Sequence, residues 1–234
     1  MSDSRVPVAT ALGSYAYAWQ QFKKHFLYLF LVALITTVAN VPNWFLGNLS
    51  GEAAPQIDPA GQILVMAYTL LILSVVKYGA ALMYLRYMRD QMANIGDMFS
   101  GFKNNYLSIV LANLLVAAIV IMGFILLIVP GIVFAIRLAF VPYLVMDKRL
   151  EPVAAVEKSW NMTRGHGWAI FRMGLLAIPI FFAGLLLLGV GAFFAGIWIY
   201  AAIAAMYHAV DLAEQQELDR NGGWERNSER SDAV

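Results

Sequence analysis

The sequence contains no cysteine, and only 13% of its 234 residues are charged. The missing cysteine excludes disulfides, thiolate metal sites and lipidation on cysteine. Soluble domains carry about 25% charged residues, so the low charge content argues against a soluble fold. The three histidines are too scattered to predict a metal site. The chain also lacks a recognisable nucleophile–base pair and a glycine-rich phosphate loop. We therefore expect neither a cofactor nor an enzymatic activity.

Long apolar runs occupy most of the chain. Hydrophobic residues make up 61% of it, and the mean hydropathy is +0.66. A helix needs about 20 mostly apolar residues to cross the hydrocarbon core of a bilayer. The sequence predicts six such spans, at about 26–41, 63–85, 107–128, 131–146, 168–188 and 192–210. We interpret the chain as an all-α polytopic protein with a single membrane domain, residues 1–211, and a partly disordered cytoplasmic tail, 212–234.

The basic residues predict the orientation of the spans. Lys and Arg near span ends favour the cytoplasmic side. Fourteen of the 16 Lys and Arg residues lie before the first span, around the links between spans two and three and between four and five, or after the sixth. The remaining connections hold none. The pattern predicts that both termini are cytoplasmic. Val129-Pro130-Gly131 predicts a tight outer turn, and the Gly189–Gly191 region forms the last outer connection. Asn221-Gly222-Gly223 predicts a helix end in the tail.

Each pair of spans follows a segment whose apolar residues recur in steps of three and four, typical of one helix face. The three stripes are Val8, Leu12, Tyr15, Trp19, Phe22 and Phe26; Met88, Met92, Ile95, Phe99, Phe102 and Tyr106; and Val153, Val156, Trp160 and Thr163, after which Trp168 comes one residue late. We interpret them as a threefold repeat of a cytoplasmic amphipathic helix and a hairpin of two spans. Any helix at a membrane surface, however, shows such a stripe. The predicted interfacial anchors are Trp19, Lys23, Phe99, Lys103, Trp160 and Arg164.

Two basic residues, Lys77 and Arg137, lie inside predicted spans. A cation there costs at least about 2.5–3 kcal/mol on insertion scales. The nearest acids, Asp147 and Asp211, stand at cytoplasmic span ends. One hypothesis is that the two cations share a pocket that binds a phosphate or a lipid headgroup. The alternatives are that Lys77 extends to the interface, or that both cations bind backbone carbonyls freed near Pro142 or elsewhere.

One stretch of the chain, residues 129–175, resembles a family of bacterial membrane proteins. Its features are Pro130-Gly131, Arg137 in a short span, Asp147 at the exit, and Ser159-Trp160 before the next span. It is similar to proteins related to the membrane domain of glycerophosphoryl diester phosphodiesterases, including the YciC-like group of uncharacterised function. The resemblance implies a multi-pass helical protein of the bacterial plasma (inner) membrane. It implies no catalysis, because the activity of the fused relatives looks like the property of a separate soluble domain.

These observations favour a non-enzymatic protein that binds lipids or a partner protein in the membrane. The expected partners are anionic lipids of the cytoplasmic leaflet and, as a second class, another membrane protein; no nucleic acid is expected. The alternative is a transporter or flippase-like carrier for an anionic or lipidic solute, with Arg137 in its path. A water-lined cavity that reaches Arg137 would favour transport, whereas a closed bundle with lipid-facing grooves would favour binding. An intramembrane enzyme ranks third.

Overall fold

The computed structural model describes residues 7–48, 59–186 and 190–232. All regular secondary structure within these ranges is helical. The α-helices are α1 (Ala11–Lys24), α2 (Phe26–Asn48), α3 (Pro59–Tyr68), α4 (Ser74–Met88), α5 (Ser100–Asn104), α6 (Tyr106–Leu126), α7 (Ile128–Arg137), α8 (Val141–Asp147), α9 (Pro152–Met162), α10 (Gly167–Leu186) and α11 (Val190–Asp232). A π-helix, Thr69–Leu73, joins α3 to α4, and a 3₁₀ helix, Ile95–Phe99, precedes α5. The prediction of an all-helical chain is confirmed for these residues.

Six stretches of the described chain are long and apolar enough to cross a membrane. They are Phe26–Asn43, Gly61–Met88, Tyr106–Leu126, Ile128–Asp147, Gly167–Leu186 and Gly191–Arg220. Their mean hydropathies range from 1.6 to 2.9. Each overlaps one predicted span, so the prediction of six apolar helices is confirmed, and the architecture fits a multi-pass membrane protein.

The turn between the third and fourth spans lies earlier than the sequence predicts. Helix α6 ends at Leu126, Leu127 is extended, and α7 begins at Ile128. Pro130 therefore lies in the first turn of α7, where its missing N–H costs nothing. The predicted turn at residues 129–131 is wrong, because a Pro-Gly pair suits a first helical turn as well as a loop. Of the predicted connection at 189–191, residue 189 lies outside the described residues, and α11 already begins at Val190.

Helices α6 and α7 pack closely where each presents a glycine. A Cβ on Gly123 would lie 2.6 Å from the Phe134 ring and 2.9 Å from the Cα of Gly131. Only a residue without a side chain permits this approach. The contact holds α7 against α6 directly after the Leu127 turn.

The predicted stripe of α1 coincides only in part with its buried face, because Tyr15 and Phe22 belong to both. That face consists of Ala11, Ser14, Tyr15, Tyr17, Ala18 and Phe22. Leu12 and Trp19, which belong to the stripe, are 73% and 44% exposed. Helix α1 packs along α11, where the Trp198 indole N–H donates to the Tyr15 carbonyl at 3.0 Å. Contacts with neighbouring helices therefore decide which side is buried, and a sequence period cannot supply them.

The other two predicted amphipathic segments differ from each other. The second is not one continuous helix, because residues 91–94 are not helical and a 3₁₀ helix follows them. The third corresponds to α9, which packs against α6 and α8. The threefold repeat, and the placement of these segments at a membrane surface, stay predictions.

The last helix extends further than the sequence predicts. Helix α11 runs to Asp232, so the predicted helix end at residues 221–223 is wrong. Two adjacent glycines cost a helix about 1 kcal/mol each relative to alanine. The Ala, Glu, Gln and Arg residues on the N-terminal side of those glycines are strong helix formers and offset that cost. The assignment of residues 212–234 as a separate tail stays a prediction.

Candidate functional site

A cavity of about 570 Å³, here called cavity A, lies between α2, α4, α8 and α11. Its polar lining residues are Thr36, Thr37, Asn40, Lys77, Tyr78, Tyr84, Tyr143 and Tyr200. Alanines, a glycine and other apolar residues form the rest of the wall. The volume lies within the range of about 300–1,000 Å³ that is typical of small-molecule sites. The site therefore combines an apolar enclosure with a few polar groups.

The second span brings Lys77 to this cavity through an irregular segment. The π-helix Thr69–Leu73 stands just before α4, and the Ser74 hydroxyl donates to the Leu70 carbonyl within it. A π-turn holds an extra residue, so it changes the rotation of the residues that follow it. Such turns occur frequently at functional sites.

Among the described residues that line cavity A, Lys77 is the single cation. Its side chain is exposed, and none of the ion pairs between described residues involves it. Lys77 lies 11 residues before Met88, or about 16 Å along a helix, so it is deep within its span. A cation at that depth without a counter-charge is costly, and a bound anion would lower the cost.

Tyrosines give the cavity hydrogen-bonding groups beside this charge. Tyr78, Tyr84 and Tyr143 are 4–5% exposed, and the Tyr84 ring stacks on Tyr200 with centroids 5.9 Å apart. A phenol can donate and accept a hydrogen bond. The Asn40 side-chain amide donates to the Thr36 carbonyl at 2.7 Å, which leaves its own oxygen as an acceptor. The cavity can therefore hold a charged or polar group among apolar walls.

A second cavity of about 380 Å³, cavity B, lies between α7, α10 and α11 and also touches α1 and α6. Its lining is almost entirely apolar and includes Phe124, Ile136, Ile170, Met173 and Ile178. The Tyr15 hydroxyl, at its edge, donates to the Met173 carbonyl at 3.0 Å. Burial raises the pKa of Tyr15 to about 12, so this phenol stays neutral in the physiological range.

Arg137 lines neither cavity A nor cavity B. Its guanidinium lies over the Trp160 ring, 5.5 Å from the centroid, and its Nη1 atom is buried without a hydrogen-bond partner among the described residues. A cation over an indole face is attracted by the ring quadrupole. The structure thus does not place Arg137 beside Lys77 on one cavity. Their roles as anion-binding residues stay predictions.

The backbone beside Arg137 is irregular, and Ser159 completes its hydrogen bonds. Helix α7 ends at Arg137 and α8 begins at Val141, so the fourth span is interrupted at residues 138–140. The buried Ser159 hydroxyl donates to the Arg137 carbonyl at 2.7 Å and accepts from the Phe140 N–H at 3.3 Å. Helix α9 therefore supplies hydrogen bonds to the backbone at this interruption of the fourth span.

The predicted interfacial anchors differ in exposure. Trp19 and Lys23 contact each other, with the lysine Nζ 5.9 Å from the indole centroid. Phe99, Lys103 and Arg164 are exposed, whereas Trp160 is half-buried beside Arg137. Exposed aromatic and basic side chains suit a membrane interface. Their role as anchors stays a prediction.

A cluster of ion pairs joins the ends of the second, fourth and sixth spans. Arg89 binds Asp147 through two bonds of 2.7 and 2.9 Å and binds Asp211 at 3.0 Å. Lys148 also pairs with Asp211, which is only 2% exposed as a residue. Burial alone would lower the pKa of Arg89, but Asp147 and Asp211 outweigh it and raise that pKa above its usual value. The sequence marked both aspartates as acids at span ends but not their common partner.

A second, more exposed ion pair lies next to this cluster. Asp90 accepts hydrogen bonds from Lys24 at 2.7 Å and contacts the His25 ring nitrogen at 2.9 Å. These two partners lower the pKa of the Asp90 carboxyl. The contact fixes the junction between α1 and α2 to the end of α4. Among the described residues, no group of His, Cys, Asp or Glu is arranged to hold a metal ion.

No family model matches the chain, and neither a curated protein nor a solved structure matches it. The resemblance of residues 129–175 to the phosphodiesterase-related membrane proteins therefore stays a prediction. The proposals below depend on the geometry of the chain itself.

Proposed function

We propose that the protein is a non-enzymatic membrane protein that binds an anionic lipid in cavity A. The observation that carries the proposal is Lys77, a cation deep within a span that borders an otherwise apolar and tyrosine-lined cavity. A phosphate group placed against Lys77 would supply the missing counter-charge. Lysine binds phosphate as a point charge, and tyrosine hydroxyls can donate further hydrogen bonds to it.

The walls of cavity A suit the apolar part of such a lipid. Ala80, Ala81 and Phe193 are among the residues that line it, and Tyr200, which also lines it, is 60% exposed. Exposed surface within a span faces the bilayer, so lipid can enter sideways. Of the lining residues that the structure describes in cavity A, none is Asp, Glu, His, Ser or Cys. This lining favours binding over hydrolysis.

We further propose that the protein resides in a bacterial inner membrane with both termini in the cytoplasm. The distribution of Lys and Arg supports this orientation. The exposed anchors Trp19, Lys23, Phe99 and Lys103 would hold the anionic cytoplasmic leaflet. Cysteines introduced at Ser50 and Ser228 of this cysteine-free chain test the orientation with a membrane-impermeant thiol reagent. We expect labelling at position 50 alone in intact cells, and labelling at position 228 would contradict the proposal.

A carrier for an anionic or lipidic solute is the second candidate. The interruption of the fourth span at residues 138–140 favours it, because broken helices at mid-membrane are typical of transporters. The position of Arg137 counts against it, because that residue lines neither of the two cavities. Lipid binding is therefore the better supported function.

Lys77→Gln tests the proposal, with Lys24→Gln as the matched control on an exposed lysine outside both cavities. Each protein is purified in a mild detergent, and native mass spectrometry measures the retained phosphatidylglycerol. We expect the Lys77 variant to fold, because its side chain is exposed, and to lose the anionic lipid. The Lys24 variant should keep it. Equal retention by both variants and the unchanged protein would refute lipid binding at cavity A.

A further inference from the structure

The two cavities share part of their walls. Ala139 and Ile203 line both cavity A and cavity B. Ala139 belongs to the interruption of the fourth span, between α7 and α8, and Ile203 belongs to α11. Both residues are half-buried. The partition between the cavities therefore includes one methyl group from an irregular backbone segment and one aliphatic side chain.

The two sides of this partition differ in chemistry. Cavity A is lined by a lysine and by several threonines and tyrosines, whereas the lining of cavity B is almost entirely apolar. An amphiphile has the same division, with a charged head and an apolar chain. An apolar chain in cavity B would also fill a space that otherwise leaves its lining side chains without contacts.

We propose that the lipid headgroup binds at Lys77 while one acyl chain passes between Ala139 and Ile203 into cavity B. This inference rests on the proposed function, since it requires an anionic lipid in cavity A. It assigns cavity B to the chain and makes the partition the point that selects among lipids. A lipid with a short chain would fill cavity A alone, and a long chain would reach Met173.

A photoreactive lipid tests this path. Phosphatidylglycerol with a diazirine at the end of a palmitoyl chain is incorporated into vesicles with the full-length protein. After irradiation, peptide mass spectrometry locates the label. Met173 is the diagnostic residue because it lines cavity B and is only 3% exposed. Phe182 lines neither cavity and is 59% exposed, so it reports contact with bulk lipid.

Ala139→Phe places a bulky ring in the passage between Ala139 and Ile203. Ala118→Phe, at an exposed position of α6, is its matched control. We expect label on Met173 in the unchanged protein and the Ala118 variant, and loss of that label in the Ala139 variant. Label on Phe182 should persist in all three. Ile203→Phe obstructs the same passage from the side of α11. It is the second test variant, used if Ala139→Phe does not fold.

Two results separate this inference from the proposed function. The first result is that Met173 is not labelled although lipid retention depends on Lys77. This result would overturn the acyl-chain path and leave lipid binding intact. Label on Met173 that survives both Ala139→Phe and Ile203→Phe would overturn it as well. Lipid retention that does not depend on Lys77 would instead overturn the proposed function, and this inference with it.

Discussion

Asp211→Asn removes the charge at the centre of the ion-pair cluster that joins three spans. The Asp211 side chain is 3% exposed and accepts hydrogen bonds from Arg89 at 3.0 Å, from Lys148 and from Gln215 at 3.2 Å. Removing one partner of a buried ion pair costs about 3–5 kcal/mol, because the remaining charge is left without compensation. Arg89 keeps both bonds to Asp147, and the Lys148 side chain is 29% exposed to its surroundings. We therefore expect the lower end of that range.

A loss of about 3 kcal/mol corresponds to a fall of about 6–12 °C in the thermal midpoint for a chain of this length. The measurement is thermal unfolding in mild detergent, followed by fluorescence-detected size exclusion. Asp90→Asn is the matched control, since its carboxyl is half exposed and asparagine tolerates the positive φ of 56° at that position. Its midpoint should stay close to that of the unchanged protein. Equal midpoints for the Asp211 and Asp90 variants would refute the buried cluster.

A double-mutant cycle gives the same argument a second test. Arg89→Gln alone leaves both aspartates short of a cation, and the Arg89→Gln, Asp211→Asn double variant restores part of the charge balance. Interacting charges of this kind show coupling of about 0.5–3 kcal/mol. The double variant should therefore lose less stability than the sum of the two single changes. Additive losses would show that Arg89 and Asp211 act independently, against the 3.0 Å bond between them.

Two further predictions concern the backbone. Ser159→Ala leaves the Phe140 N–H without its side-chain acceptor and should cost about 1–3 kcal/mol of stability in the same thermal assay. Ser159→Thr keeps the hydroxyl and should retain more stability. Equal losses for the two variants would contradict the bridging role of Ser159. Gly123→Ala forces α6 away from Gly131 and should cost about 1–3 kcal/mol, whereas Gly174→Ala meets nothing within 4 Å and should be neutral or stabilising. A neutral Gly123 variant would show that the two helices separate without strain.

Hydropathy predicted the six apolar helices because each span must satisfy its own backbone and bury apolar surface, which are local properties of the sequence. The ion-pair cluster was not predictable in this way. Arg89 lies 58 residues from Asp147 and 122 residues from Asp211, and only the packing of three spans brings them together. The anionic-site hypothesis named Lys77 and Arg137 together because both are cations within spans. Sequence gives depth in a span but not the direction of a side chain. Lys77 lines cavity A, whereas Arg137 lines neither cavity A nor cavity B.

The Ser159 bridge also bears on how the chain is made. Ser159 follows Arg137 by 22 residues, so the ribosome synthesises the interrupted span before the hydroxyl that completes its backbone bonding exists. During that interval the Arg137 carbonyl and the Phe140 N–H need water or the insertion machinery as temporary partners. The fourth span should consequently leave the translocon late, together with α9. A nascent chain truncated before Ser159 should remain associated with the insertion site longer than one truncated after α9.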